Sequence, residues 1–379
     1  MGHARHHGGD TMNTPLMLGD LSAYLSDLPK VPLTASAARD RFLEALAAPD
    51  FSPPEVSVLW KRTEGALSIE KLSWNLPFGN ATEAYLLMPL HHAGRLPAVL
   101  ALHDHGGQKF FGKQKLVHIE GETPPQILPY QQQYYGGRAW ANDLALRGYA
   151  VLVHDVFPFE SRRLRFSDLP PQVVKNLFED ALPPGLDDTA SSIDAYNRCA
   201  RQMEHLIAKA LYAAGLTWSG LTVAEDRIAL DILRSNSAVD PGRIGVCGLS
   251  LGGLRSIYLS ASTGGIAAAV AAGFMTTWGD MIRTHAIDHT WMAFVPGIGR
   301  SLDFSGIAAL AAPRPLMICN CTNDELFDQN EVAAAEAQLR RRYDEEGEPD
   351  HLRFAHYEGT HQFHQDMQED AFAWLDTHL

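Results

Sequence analysis

Residues 248–252 have the sequence GLSLG and follow directly on the apolar run at residues 244–247. The pattern is G-x-S-x-G, placed where a buried strand would turn into a helix. A turn this sharp gives its central residue, Ser250, strained backbone angles and leaves its side chain exposed. Gly248 and Gly252 lack the Cβ atoms that would collide in such a turn. The segment therefore predicts a serine held ready to attack a carbonyl.

Short apolar runs alternate with helix-like segments over most of the chain, which predicts a parallel sheet with right-handed crossovers. Thr222 and Glu225 form a capping box that predicts a helix start at Val223. The apolar runs are residues 97–102, 150–153, 244–247, 266–272 and 315–319, and the helix-like segments are residues 138–147, 193–214, 223–234 and 330–343.

The N-terminal part of the chain has a different pattern. Residues 1–12 resemble a disordered tail, and residues 13–65 suggest a helical arm packed on the main domain. Alternating segments at residues 68–74 and 81–88 predict antiparallel edge strands. We therefore expect a catalytic domain at residues 66–379, with helices on both faces of its sheet.

Two connections in that domain are too long for plain turns, at about residues 106–137 and 157–192. Both follow the carboxyl ends of predicted strands, where open α/β sheets bind ligands. Long loops in compact domains are commonly lids or binding loops. We expect at least one of them to line the binding pocket.

A serine nucleophile needs a base, and the base needs a third group to orient it. In sheets that carry such a turn, the acid and then the histidine follow the serine along the chain. Asp324 lies just past the buried run at residues 315–319, and His361 lies just past the strand-like residues 352–355. Ser250, Asp324 and His361 should therefore meet at one edge of the sheet.

Other carboxylates and histidines lie near the two predicted partners. Glu325 and Asp328 compete with Asp324, which itself has the alternative role of a turn or capping residue. His356 belongs to the predicted strand, and His364 is placed to start the last helix. The distance from the preceding strand favours Asp324 and His361.

The reaction also needs donors for the oxyanion. One is the N–H of Leu251, at the start of the helix after Ser250. The other is predicted in the glycine-containing loop after residue 102, from Gly107 or Gln108, which the sequence does not distinguish. For the histidines of that loop, His103 and His105, structural hydrogen bonding is favoured over a metal role, because no carboxylate or further histidine lies at a helical ligand spacing beside them.

Substrate contacts are predicted from aromatic and basic residues in the long connections and after residue 273. The predicted contacts are His105, Tyr135, Arg163 and Trp278, and His285, His289 and Trp291 are further pocket-wall candidates. For His285, His289 and Trp291, ordinary packing of a loop and a helix is the alternative to a role in the pocket wall.

Composition excludes several function classes. A net charge of −14 argues against a nucleic-acid surface, and no stretch approaches the length of a membrane span. The start of the chain leads into no apolar segment, so we expect no secretory signal. We interpret the four cysteines as reduced, which favours a cytoplasmic protein. No metal or cofactor is expected.

These segments together resemble the α/β-hydrolase superfamily, in its dienelactone hydrolase and acetyl xylan esterase-like group. The similar segments are residues 103–107, residues 239–245 leading into Ser250, residues 311–316, and His361-Gln362-Phe363, over roughly residues 80–379. The resemblance implies an α/β-hydrolase fold. Members of this group are often dimeric or larger, which leaves a homo-oligomer open.

The resemblance implies a hydrolase acting on a small-molecule ester, such as an acetylated or methyl-esterified sugar or a small aryl or alkyl ester. Dienelactone hydrolases use a cysteine where this chain has Ser250, and Cys247 lies three residues too early. The serine esterase branch is therefore the better match. C–C bond hydrolysis or lyase-type chemistry, a peptidase, and a binding protein with a vestigial site are the alternatives.

Overall fold

The computed structural model describes residues 16–178, Leu186 and residues 192–379. The predicted tail at residues 1–12 lies outside the described residues and stays a prediction.

Within the described residues, nine strands form one sheet in the order β1-β2-β3-β5-β4-β6-β7-β8-β9. The pairs β1–β2, β2–β3 and β3–β5 are antiparallel, and all other neighbours are parallel. The strands are β1 Val56–Glu64, β2 Leu67–Trp74, β3 Thr82–Pro89, β4 Leu96–Leu102, β5 Ala150–His154, β6 Val239–Leu249, β7 Ala268–Ala272, β8 Leu316–Cys321 and β9 Leu352–Tyr357.

Helices cover both faces of the sheet, joined by short 3₁₀ turns. The helices are α1 Asp20–Ser26, α2 Ala35–Leu46, α3 Leu128–Tyr135, α4 Trp140–Leu146, α5 Pro171–Phe178, α6 Ile193–Ala213, α7 Trp218–Ser235, α8 Leu251–Ser262, α9 Trp278–Asp280, α10 Phe304–Ala308, α11 Gln329–Glu345 and α12 Gln365–His378. The predicted mixed, mostly parallel sheet with antiparallel N-terminal strands is confirmed.

Alternate residues of the inner strands face two separate cores. In β4, Ala98, Leu100 and Leu102 pack with α2, α7, α8 and α11, whereas Val99 and Ala101 pack with α4 and α12. Because both faces are covered, the strands read as continuous apolar runs. Because β4, β6, β7, β8 and β9 are parallel neighbours, their carboxyl ends lie along one edge of the sheet.

The boundary of the N-terminal arm is wrong. Residues 13–65 were predicted to be helical, but Val56–Glu64 form β1, the edge strand of the sheet. Most residues of this strand are exposed, so the apolar alternation that marks a half-buried strand is missing. The helical arm is therefore limited to α1, α2 and their connections.

The start of α7 also differs from the prediction. Thr217 caps the helix, and its hydroxyl accepts the N–H of Gly220 at 2.8 Å. Thr222 is buried within the helix, and the carboxylate of Glu225 accepts a hydrogen bond from the guanidinium of Arg162 at 2.8 Å. The predicted capping box is wrong because Thr222 bonds the carbonyl of Trp218 within the helix and Glu225 binds Arg162.

The two long connections contain helices rather than plain loops. The first carries α3, and the second carries α5 before it reaches α6. Buried Lys113 anchors the first connection, because its ammonium donates to Asp155 at 2.8 Å and to Glu160 at 2.5 Å. These contacts hold the connection against the end of β5.

No single helix of the described chain is long and apolar enough to cross a membrane. By length and composition alone, α6 and α7 meet that requirement together, with a bend of 86° between them.

Candidate active site

Ser250 stands alone between the last residue of β6 and the first residue of α8. Its φ of 57° and ψ of −119° fall outside the regions that residues with a Cβ atom favour. Its N–H donates to the carbonyl of Ala272 at 2.7 Å, which ties the turn to the end of β7. The side chain is partly exposed and lines a cavity.

Neighbouring backbone explains the glycines around Ser250. A Cβ atom on Gly248 or Gly252 would collide with the carbonyl oxygen of Leu102, and one on Gly253 would lie 2.6 Å from that of Ala272. Helix α8 therefore lies directly on β4 and β7. Only glycine permits this approach, because backbone atoms cannot move aside as a flexible side chain can.

Asp324 and His361 form the acid–base pair that the sequence predicts. Asp324 follows β8, His361 follows β9, and Asp324 Oδ2 lies 2.6 Å from His361 Nδ1. The Asp324 side chain is 3% exposed and that of His361 is 16% exposed. The second carboxylate oxygen accepts the N–H of Leu326 at 3.1 Å. The aspartate is thus held by its own loop while it orients the imidazole.

The competing residues have other partners or positions. Glu325 is exposed, and Asp328 caps α11. His356 bonds Glu336 at 2.8 Å on the surface, and His364 occupies the cap position of α12. The geometry therefore favours the predicted pair over all four alternatives.

One cavity of about 470 Å³ contains all three predicted triad residues. A larger groove of about 650 Å³ runs beside α2 and α11, and no histidine lines it. The cavity is lined by His105, Gly106, Gly107, Gln133, Tyr134, Arg201, Ser250, Leu251, Leu254, Phe274, Asp288, His289, Thr290, Ala293, Asp324, Glu325, Leu326, Thr360 and His361.

The predicted oxyanion donors have different environments. Leu251 is the first residue of α8, where helix N–H groups have no partner within the helix, and it lines the cavity. In contrast, the N–H of Gly107 donates to His105 Nδ1 at 3.0 Å, and that of Gln108 donates to the His105 carbonyl at 3.0 Å. The prediction of Gly107 or Gln108 as the second donor therefore needs correction, since both groups are engaged.

A buried aspartate holds the loop that carries these donors. Asp104 accepts the hydroxyls of Tyr130 and, at 2.5 Å, of Tyr135. Lys115 donates to the carbonyls of Asp104 at 2.8 Å and His105 at 3.0 Å. Tyr135, predicted to bind substrate, is fully buried and supports the loop from behind.

Two further predicted substrate contacts lie outside the cavity. Arg163 donates to the carbonyl of Phe110 at 3.0 Å, and its guanidinium lies 4.1 Å from the centre of that ring. Trp278 is 5% exposed, and its ring centre lies 4.0 Å from that of Phe304. Each of these side chains therefore packs against an aromatic ring and does not face the cavity.

Of the remaining pocket-wall candidates, one lines the cavity and two do not. His289 lines the cavity and bonds the carbonyl of Leu326 at 3.2 Å, and burial lowers its pKa. His285 bonds buried Asp280 at 2.5 Å instead, and Trp291, 42% exposed, is not among the cavity residues.

Several cavity residues were not predicted, namely Phe274, Arg201 and Thr290, together with Glu204 behind them. Phe274 lies just past β7, where its position at a strand end was a usable signal. Arg201 and Glu204 share a face of α6 at i, i+3 spacing, but a charged helix face normally indicates solvent.

The cysteines contribute no exposed thiol at this site. All four are free and buried. Burial raises the pKa of the Cys247 thiol well above its usual value, which disfavours the thiolate that a cysteine nucleophile needs. In the described residues, no three His, Cys, Asp or Glu side chains are arranged to hold a metal ion.

Comparison with known proteins gives a family match. The family model described as "Dienelactone hydrolase family" matches residues 137–373, well over half of the chain. "Putative hydrolase YtaP" of Bacillus subtilis (strain 168) is 27% identical over 303 residues, covering 80% of this chain and 85% of that protein.

Solved structures show the same fold at low identity. A "putative acetyl xylan esterase" from Bacteroides fragilis NCTC 9343 gives a TM-score of 0.65 at 16% identity, covering 93% of this chain and 84% of the other. A glucuronoyl esterase from Solibacter usitatus gives 0.59 at 14% identity, covering 90% and 92%. The fold is thus that of the α/β-hydrolases, as the sequence predicts.

Proposed function

This chain belongs to the dienelactone hydrolase family, and on that premise we propose that it is a serine esterase that cleaves carboxylic esters through an acyl-enzyme. The observation that carries the proposal is the 2.6 Å contact between Asp324 and His361, in the same cavity as the strained Ser250. A nucleophile, a base and an orienting acid in one cavity are the parts that acyl transfer requires.

The proposed first step forms a bond between Ser250 Oγ and the ester carbonyl carbon. With Nδ1–H donated to Asp324, the imidazole of His361 keeps Nε2 free to take the serine proton. The N–H of Leu251 and a donor from the loop after β4 stabilise the oxyanion. Collapse breaks the carbon–oxygen bond of the ester, and the alcohol leaves with the proton from His361.

The second step returns Ser250 to its starting state. His361 takes a proton from water as the water oxygen attacks the acyl carbon, and it gives that proton to Ser250 Oγ as the bond to the acyl carbon breaks and the acid leaves. We propose acetylated or methyl-esterified sugars, or small aryl and alkyl esters, as substrates. The support is the similarity to the solved structures described as "putative acetyl xylan esterase" and "Glucuronoyl Esterase", together with a cavity of about 470 Å³.

Hydrolysis of p-nitrophenyl acetate by wild type, Ser250→Ala and Cys247→Ala tests the mechanism. We expect Ser250→Ala to lose at least about a thousandfold in kcat/KM while circular dichroism shows an unchanged fold. Cys247→Ala is the matched control and should keep its activity, because the thiol is buried. Equal activity of wild type and Ser250→Ala would exclude Ser250 as the nucleophile.

An ester panel then separates the substrate classes. Acetylated xylo-oligosaccharides, methyl glucuronate and aryl acetates are compared by kcat/KM. If wild type cleaves none of them, labelling of Ser250 by a fluorophosphonate probe distinguishes a competent site of other specificity from a vestigial one.

A further inference from the structure

Glu204 is a nearly buried carboxylate that the proposed mechanism does not use. It lies in the middle of α6 and is 8% exposed. Its Oε1 accepts the ammonium of Lys109 and lies 2.9 Å from His105 Nε2, and its Oε2 accepts the hydroxyl of Thr290 at 3.0 Å. Thus one side chain connects the loop after β4, the first long connection and the segment after β7.

The contacts of His105 fix its tautomer. Nδ1 accepts the N–H of Gly107 at 3.0 Å, so in the neutral ring the proton is on Nε2. This nitrogen lies 2.9 Å from both Glu204 Oε1 and the Lys109 ammonium, and of the two only the carboxylate can accept the proton. Burial, and then the charge of Lys109, lower the pKa of His105 to about 4, so the ring is neutral near pH 7. Without the carboxylate, the Nε2 proton would have no acceptor and would face the Lys109 ammonium, which favours the other tautomer, the one that cannot accept from Gly107.

The other side of the loop is fixed by Lys115. Its ammonium lies 3.0 Å from the His105 carbonyl. In a trans peptide the N–H points opposite to the carbonyl, so the N–H of Gly106 points away from Lys115. Gly106 and Gly107 have φ values of +50° and +66°, which a residue with a Cβ atom rarely adopts. Both glycines line the cavity that contains Ser250.

We infer that Glu204 and His105 are positioning residues for the oxyanion loop, Glu204 by selecting the His105 tautomer and His105 by holding Gly107. The inference rests on the proposed esterase function. It assigns the second oxyanion donor to the N–H of Gly106, since those of Gly107 and Gln108 are engaged within the loop. The pair acts through the backbone and makes no bond to the reacting atoms.

Two substitutions of His105 separate this role from a merely structural one. His105→Asn keeps an oxygen near the Nδ1 position and can still accept from Gly107, whereas His105→Gln reaches Glu204 but loses that acceptor. Loss of an oxyanion donor costs about 10²–10³ in kcat. We therefore expect His105→Gln to lose about a hundredfold or more in kcat with little change in KM, and His105→Asn to lose less than about tenfold.

Glu204→Gln tests the other member of the pair. It should lower kcat as His105→Gln does, because the amide can present either a donor or an acceptor to His105 Nε2 and therefore selects the tautomer less strongly than the carboxylate. His356→Gln is the matched control, since His356 bonds Glu336 at 2.8 Å on the surface, and it should leave kcat unchanged. If Glu204→Gln does not fold, as judged by circular dichroism, the two His105 variants decide the question.

The rate constant for fluorophosphonate labelling of Ser250 is the second readout, because it does not depend on the choice of ester. The order expected is wild type, then His105→Asn, then His105→Gln. If wild type reacts but the folded variants match it, or if only KM changes, the positioning role is wrong and the proposed function stands. If wild type neither hydrolyses esters nor reacts with the probe, both are wrong.

Discussion

Ser250 has a backbone conformation that costs about 1–3 kcal/mol for a residue with a Cβ atom. The cost is tolerated because the turn is held from both sides, by the bond from the Ser250 N–H to Ala272 and by the contact of Gly248 and Gly252 with Leu102. The same contacts hold Ser250 at the wall of the cavity. The contacts that maintain the strained backbone of Ser250 therefore also position it as a nucleophile.

Asp324→Asn should remove most activity without unfolding the protein. The amide has the size of the carboxylate but presents the wrong group to His361 Nδ1, so the imidazole loses the tautomer that accepts the serine proton. We expect kcat to fall by about 10³–10⁴. Steady-state kinetics with p-nitrophenyl acetate gives the value, and a thermal melt checks the fold.

Asp328→Asn is the control for that substitution. Asp328 is a carboxylate of the same loop, but it caps α11, a role that asparagine fills equally well. Its kcat should remain within about threefold of wild type. An Asp324→Asn enzyme as active as Asp328→Asn would rule out Asp324 as the orienting acid.

At this scale the sequence predicts positions better than contacts. Ser250, Asp324 and His361 could be placed together because each lies shortly after the carboxyl end of a strand of one sheet. Tyr135 and Trp278 could not be excluded from the pocket, since their burial depends on partners distant in sequence, Asp104 and Phe304.

Among the elements, α7 shows how a tertiary contact decides where a helix begins. Thr217 caps the helix through Gly220 and also donates to the carbonyl of Leu46 at 2.5 Å, at the end of α2. The sequence pattern at Thr222 and Glu225 satisfies the capping rule equally well. Only the position of the arm distinguishes the two sites, and the arm is remote in sequence.

Matched Thr→Val substitutions test the observed start of α7. Thr217→Val removes the cap and the bond to Leu46, so we expect a loss of about 1–2 kcal/mol in the free energy of unfolding. Thr222→Val removes only a bond to the carbonyl of Trp218, and its loss should be below about 1 kcal/mol. Urea unfolding of both variants gives the comparison. A larger loss at Thr222 would place the cap where the sequence pattern put it.

Strand β1 was missed for a related reason. Its side chains are mostly exposed, with Val58 at 57% and Leu59 at 50%, and the register with β2 shifts between Val58 and Trp60. A strand with a bulge and no buried face has no period of two to detect. The inner strands were predictable because burial on both faces makes them uniformly apolar.

For the molecule as a whole, stability should fall on mild acidification. His103 is buried with its pKa well below the usual value of 6.5, and the pKa of His105 is lowered to about 4, in both cases mainly by burial. Between pH 6.5 and pH 4 the unfolded chain therefore takes up protons that the folded chain does not. Each such histidine favours unfolding by about 1–2 kcal/mol at pH 5 relative to pH 7.5.

Urea midpoints at pH 7.5 and pH 5 measure this effect. Hydrogen bonds from His105 and Lys109 lower the pKa of Glu204 although burial alone raises it, so this carboxylate does not take up a proton in that range. His105→Asn should show a smaller difference between the two pH values than wild type. A midpoint that is constant or rises toward pH 5 would contradict the assignment of neutral, buried histidines.

The cavity has one wall made by the sheet edge and another made by α6 and the long connections. The sheet-edge wall is fixed by close contacts between backbone atoms. The wall formed by α6 and the long connections is built from side chains such as Glu204 and Arg201. The two walls should therefore differ in how well they tolerate substitution. A library at Arg201 and Gln133 can alter which esters are accepted while the chemical step survives, but a library at Gly248, Gly252 or Gly253 should yield almost no active clones.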